Sequence, residues 1–147
     1  AQSGDPMAFN FPQPMLHSSD YDFSFSGLKT AVLYAVQDIG EINSQTQADI
    51  AASFQHAATE VLIKKITKAL ENTGRESIVL AGGVAANKVL RNKISLLKSK
   101  LNVAVLYPPL AHCTDNAAMI AYLGSMKVNE ATFSLASHAK PRWPLGS

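Results

Sequence analysis

One change of hydrophobic period constrains this chain more than any other feature. Ser77-Ile78-Val79-Leu80-Ala81 is an apolar run of strand length, broken at once by the pair Gly82-Gly83. A helical pattern then runs over about 85–100, with Leu90, Ile94, Leu97 and Leu101 on its inner face. Val103-Ala104-Val105-Leu106 reads as a second strand, Pro108-Pro109 forces a loop, and 115–126 reads as a last helix. The order βαβα favours a parallel sheet with a right-handed crossover, so the predicted class is α/β.

Longer helices precede this core. Phe23 and Phe25 alternate with Ser24 and Ser26, a short strand signal, and Ser26 is placed to cap a helix over 27–39 that Gly40 closes. Ile50, Phe54, Ala58, Leu62, Ile66 and Leu70 recur near every fourth residue, which predicts a helix over 46–72 stopped by Gly74. Its other side carries Asp49, Glu60, Lys64, Lys65 and Lys68, read as a solvated face. Residues 1–20, with Pro6, Pro12 and Pro14, read as an irregular lead-in, and 127–147 as a tail. At 147 residues the whole is expected to be a single domain.

Bulk properties narrow the class further. Hydrophobic residues at 47% against 16% charged place the chain among folded proteins rather than disordered ones. No apolar stretch approaches the about 20 residues that a membrane span needs, so no membrane partner is expected. The start has neither the basic end nor the apolar stretch of a signal peptide and lacks an initiator Met, so a fragment of something longer is expected. Cys113 is the sole cysteine, which excludes an internal disulfide and a Cys-rich metal site and suggests a reducing, cytoplasmic setting. The net charge of +2 does not argue for nucleic acid, yet no acidic residue occurs from Ser77 to Thr114 while Lys88, Arg91, Lys93, Lys98 and Lys100 do. Those side chains could meet RNA phosphates or form a solvated helix face.

Two segments carry candidate chemistry. Leu80-Ala81-Gly82-Gly83-Val84-Ala85-Ala86-Asn87 is a strand-to-helix turn. Its glycines would admit a ligand close to the backbone, and the first N–H groups of the helix suit a phosphate or another polar edge. Asn87, expected one turn into that helix, could bond a ribose or base. The same glycine pair can equally be structural, and it matches neither a Walker A loop nor a dinucleotide fingerprint. The second segment, His112-Cys113-Thr114-Asp115-Asn116, follows the other strand, so both segments are expected to face one site beyond the strand ends. Asp115 reads either as a capping or first-turn carboxylate or as a hard oxygen ligand for a metal. His17, His56, His112 and His138 contain no i, i+4 pair, so any further metal ligands must come from elsewhere. In a third segment, Phe23 and Phe25 read as anchors, with Ser24, Ser26 and Lys29 facing a groove.

Three strings together, Asp22-Phe23-Ser24-Phe25-Ser26-Gly27-Leu28-Lys29-Thr30, Leu80 to Asn87 with Leu90-Arg91, and Cys113-Thr114-Asp115-Asn116, closely resemble the TsaD/Gcp/Kae family of tRNA threonylcarbamoyladenosine transferases, once labelled O-sialoglycoprotein endopeptidases. Gly4-Asp5-Pro6, Phe11-Pro12 and Ile50-Ala51-Ala52-Ser53-Phe54-Gln55 extend the likeness to about residues 1–125. The resemblance implies the second lobe of an actin-like, ribonuclease H-like ATPase fold. It also implies transfer of threonylcarbamoyl from its adenylate to the adenosine next to the anticodon of tRNA. Gly82 and Gly83 resemble the family's adenosine-side glycines, Asn87 its nucleotide-binding asparagine, and Asp115 its metal-ligating aspartate. The implied cofactor is one iron or zinc ion acting as a Lewis acid, shared with an amino-terminal half, with ATP or the adenylate as ligand.

Two departures stand out: Ala117 occupies a position where many members have glycine, and the family's His-x-x-x-His pair and first phosphate loop are absent from the chain. The chain alone is therefore expected to be inactive, with the missing amino-terminal lobe, tRNA and other proteins of the modification pathway as partners. A non-catalytic binding module and half of another actin-like kinase are the competing readings. The endopeptidase label is disfavoured, because no HExxH or nucleophile–base pair is present.

Overall fold

The computed structural model describes residues 1–131, so most of the tail expected over 127–147, and His138 with it, lies outside the described residues. Ala1–Thr114 form one compact unit, and Asp115 begins a second.

The first unit is organised on one long helix. Helix α1 spans Ser26–Ile39 and helix α2 spans Ser44–Thr73. Asn43 caps α2 by accepting from the Thr46 N–H at 2.8 Å, and Gly74 ends it in the left-handed region (φ 61°), donating to the Leu70 carbonyl at 2.9 Å. Gly40, with φ 72°, closes α1 as expected. Ser26 does not cap that helix: Phe25 holds the cap position without a side-chain bond, and Ser26 is the first helical residue. No strand forms at Phe23 and Phe25, whose rings lie 5.6 Å apart, and Phe25 instead packs on the core. Four alternating residues without a partner strand have no ladder to join.

Phe11, Leu28, Ile50 and Ala57 form the main buried cluster, so the lead-in supplies part of the core. Its backbone is irregular but tied to α2. The Asp5 N–H donates to Asp49 Oδ1 at 2.8 Å, the Phe9 N–H donates to Ser53 Oγ at 3.1 Å, and Ser53 Oγ donates to the Asp5 carbonyl at 3.2 Å. Phe9 stacks on Phe11 at 5.7 Å. These partners lie more than forty residues apart in sequence, which is why proline spacing alone understated the order of this segment.

The solvated face expected on α2 holds at Lys64, which is exposed, and is overturned at Lys65 and Lys68. Lys65 is only 4% exposed, and its ammonium donates to Ser18 Oγ at 2.6 Å and to the Asp20 carbonyl at 2.9 Å. Lys68 donates to the carbonyls of Ser18 and Ser19. The long stems run along the helix while the heads gather loop carbonyls, an arrangement that places charge indoors only because acceptors are waiting there. The predicted apolar stripe is correspondingly uneven: Ile50 and Leu70 are buried, Phe54 is exposed, and Ala57 and Val61 beside the stripe are the more deeply covered.

Strand β1 spans Ser77–Val79 and strand β2 spans Ala104–Leu106, paired in parallel with Ile78 opposite Val105. Both are shorter than the apolar runs that announced them, although Leu80 adds a bond to the Leu106 carbonyl at 2.9 Å. Helix α3, Lys88–Leu101, joins them and buries Leu90, Ile94 and Leu97. It docks on α2 through Lys93, which reaches Thr59 Oγ1 and Glu60 Oε1, each at 2.8 Å. β1 is not the fully buried strand that its composition suggested. Val79 is 71% exposed and Leu106 59%, so one face of this two-stranded sheet is uncovered.

In the second unit, helix α4 spans Ala117–Met126 and presents Ile120, Tyr122 and Met126 to solvent. Among the described residues, no helix is long and apolar enough to cross a membrane.

Two carboxyls have pKa values held below their ordinary range. For Glu60 the main cause is the hydrogen bond from Lys93, opposed by partial burial. For Asp20 it is the bond from the Ser18 hydroxyl, again opposed by burial and aided by Lys65. A carboxyl depressed in the folded state adds stability above its unfolded pKa, and this is lost as pH falls through the folded value. The melting temperature is therefore expected to hold from neutral pH to about pH 5 and to decline below pH 4.5, the ordinary glutamate value. A pH series of thermal melts on wild type and Glu60→Gln checks this, since the variant should lose part of the acid-dependent slope.

Candidate functional site

Beyond β1 the chain makes the turn that sequence singled out, with a geometry that explains its glycines unequally. Gly82 has φ 81° and ψ 176°, a region open in practice only to glycine. Gly83 begins a short 3-10 turn, Gly83–Ala86, closed by bonds from Ala85 N to the Gly82 carbonyl and from Asn87 N to the Val84 carbonyl, each at 3.0 Å. A side-chain carbon at either glycine would meet open space, so only Gly82 is required by backbone conformation.

Asn87 stands before α3, not one turn into it, which corrects the sequence expectation. Its Oδ1 caps the helix by accepting from the Leu90 N–H at 3.0 Å. The side-chain amide group is what remains for a ligand, while one N–H of the first helical turn is already committed. The cap thereby withdraws one donor from the phosphate site expected at the helix terminus.

Gly83, Val84 and Asn87 line a groove of about 550 Å³, faced by Phe25 from the segment before α1 and by Phe54, Ala58 and Leu62 from α2. Two of the three sequence motifs thus meet at one place. From the segment before α1 it is Phe25 that lines this groove, and Ser24, Ser26 and Lys29, expected to face a groove, are not among its lining residues. Phe54 and Leu62 were read as core stripe positions. Their signal is the half-exposed side of α2, which only the packing of α1 and the lead-in leaves open.

Asp115 opens the second unit and is exposed. The capping alternative for it is overturned, because Asn116 holds the cap of α4 and accepts from the Met119 N–H at 3.0 Å. His112 ends a short 3-10 turn, Leu110–His112, and is exposed, whereas Cys113 is buried. Among the described residues no three His, Cys, Asp or Glu side chains gather where they could hold a metal ion. The ligands on hand do not fit a cation site by themselves.

The family model described as TsaD: tRNA N6-adenosine threonylcarbamoyltransferase matches residues 1–122. The tRNA N6-adenosine threonylcarbamoyltransferase of Chromobacterium violaceum is 48% identical over 151 residues, covering 100% of this chain and 44% of the relative. The protein of the same name from Thermosipho africanus is 56% identical over 124 residues, covering 84% of the chain and 37% of the relative. That of Neisseria meningitidis is 44% identical, covering 99% of the chain and 46% of the relative. The chain spans less than half the length of these relatives and corresponds to their carboxy-terminal part. A family model matched over residues 1–122 and relatives 44–56% identical across most of the chain show that the chain belongs to the tRNA N6-adenosine threonylcarbamoyltransferase family.

Proposed function

We propose that the chain is the carboxy-terminal lobe of a transferase that moves threonylcarbamoyl from its adenylate to the adenosine next to the anticodon of tRNA, in a cytoplasmic setting. The lobe is of the actin-like, ribonuclease H-like class, and its short parallel sheet with α3 as crossover is consistent with that fold. Its own contribution is the nucleotide grip. The observation that carries this reading is the groove in which Gly83, Val84 and Asn87 face Phe25, Phe54 and Leu62.

Each part of the groove has a physical task. Gly82 lets the backbone reverse so that Gly83, without a side chain, leaves the groove open to a close-lying adenosine. Phe25, Phe54 and Leu62 offer apolar walls to the flat faces of the base, and the Asn87 amide donates to a polar edge. A bound metal would supply Lewis-acid polarisation of the carbonyl. Among the described residues Asp115 is the candidate ligand, and a single exposed carboxylate is no cation site by itself.

Turnover requires the remainder of the relatives' length, since the chain represents 44% of the Chromobacterium protein. Mixed with an amino-terminal portion from such a relative, the chain should transfer threonylcarbamoyl to tRNA, whereas alone it should not. Transfer by the purified chain alone would overturn the division of labour. Asn87→Asp keeps a good helix cap but removes the amide donor, so its melting temperature should match wild type while ATP binding weakens about tenfold. Unchanged binding would remove Asn87 from the grip.

A further inference from the structure

Arg91 lies in the basic run that sequence left between an RNA-facing stripe and a solvated face, yet its side chain does neither. One helical turn after Asn87, it folds back so that Nε donates to the Ala85 carbonyl inside the 82–87 turn. One terminal nitrogen, Nη2, reaches the Pro108 carbonyl at 3.2 Å and the Cys113 sulfur at 3.1 Å, both in the loop after β2. The guanidinium also lies over the Tyr107 ring, 4.5 Å from its centroid. Cys113, 2% exposed, sits against the Pro108 and Pro109 carbonyls with its sulfur 3.9 and 3.6 Å from their oxygens. Because β1 and β2 are parallel, the 82–87 turn and the 107–113 loop leave the same end of the sheet, and this one side chain spans them.

The chemistry favours arginine at this point. A planar fork donates along separate directions while its face stacks on a ring, which a lysine ammonium cannot reproduce. No carboxylate competes for it: residues 77–114 contain no acidic side chain, and Arg91 enters no ion pair among the described residues. The guanidinium is therefore free to organise backbone carbonyls rather than to neutralise an acid.

We propose that Arg91 is a positioning residue: it fixes the 82–87 turn against the 107–113 loop and so holds Gly83 and Asn87 at the wall of the ligand groove. The inference rests on the nucleotide-grip reading, and its test separates the two. In the chain, Arg91→Met retains the stem and removes the fork, and Arg91→Lys retains the charge. Labelling of the single thiol, Cys113, by a small aromatic disulfide reports the loop directly, and titration with ATP reports the turn. Both variants should stay folded by circular dichroism, label Cys113 about tenfold faster or more, and bind ATP about ten- to a hundredfold more weakly. Full retention of ATP affinity by Arg91→Lys, or labelling at the wild-type rate in both variants, overturns the positioning role, because charge or packing alone would then suffice. If wild type itself binds no ATP, the nucleotide reading falls, and the positioning of a grip falls with it.

Discussion

Replacing Gly82 by alanine is expected to lower stability by about 1–3 kcal/mol, since the site demands a backbone conformation that an L side chain rarely adopts. For a unit of this size that amounts to roughly 5–10 °C of melting temperature. Space is not the issue, because nothing lies within 4 Å of the added carbon. Gly83→Ala supplies the contrast. Its backbone is ordinary and its surroundings equally open, so melting should stay near wild type. The new methyl does project at the groove that Gly83 lines, however, and ATP affinity should fall. Paired melts and titrations on the two variants decide the matter: a Gly82→Ala that melts like wild type would mean that the turn relaxes to a glycine-free geometry.

Gly4→Ala should be damaging for the opposite reason, with an ordinary backbone and no space. A side-chain carbon there would overlap the Ala48 carbonyl group at the start of α2, and a helix backbone cannot yield as a flexible side chain would. The lead-in must lift from the helix, weakening the Asp5 and Phe9 bonds and uncovering Phe11, at a cost of about 1–3 kcal/mol. Gly27→Ala should move the other way. Its nearest neighbour, Pro14 Cγ, is at an ordinary 3.5 Å, and alanine in the first turn of helix α1 gains up to about 1 kcal/mol over glycine, the full value of a helix interior. Melting temperatures of opposite sign, with faster proteolysis near residue 20 in Gly4→Ala alone, are the expected pattern. A neutral Gly4→Ala would show that the close approach to Ala48 does not anchor the segment.

Val79 and Leu106 expose one side of a sheet that has only two strands, a form that rarely stands alone. Strands of such apolar composition are ordinarily covered on both sides. The chain's matches reach less than half of the relatives' length.

Much of this was legible in residue order. Gly40, Gly74 and the inner face Leu90, Ile94 and Leu97 were read correctly, because helix stops and a 3.6-residue period are local properties of the chain. The parallel pairing of the two short strands followed from the helix between them. So did the family, whose motifs are contiguous strings. Caps were less secure: Asn116 rather than Asp115 caps α4, and Asn87 precedes α3, since neighbouring polar residues compete for one N–H and backbone torsion selects among them.

Local patterning by itself determined the order of the four helices and of β1 and β2, their boundaries to within a few residues, and the glycine-bearing turn, while it wrongly announced a strand at Phe23 and Phe25. Tertiary structure alone decided that Lys65 is buried, that Phe25 meets Gly83 across a groove, and that Arg91 bridges two loops. The reason is one of range. A helix or turn is specified by neighbours within four residues, whereas the burial of a charge depends on acceptors that the fold delivers from forty or more residues away.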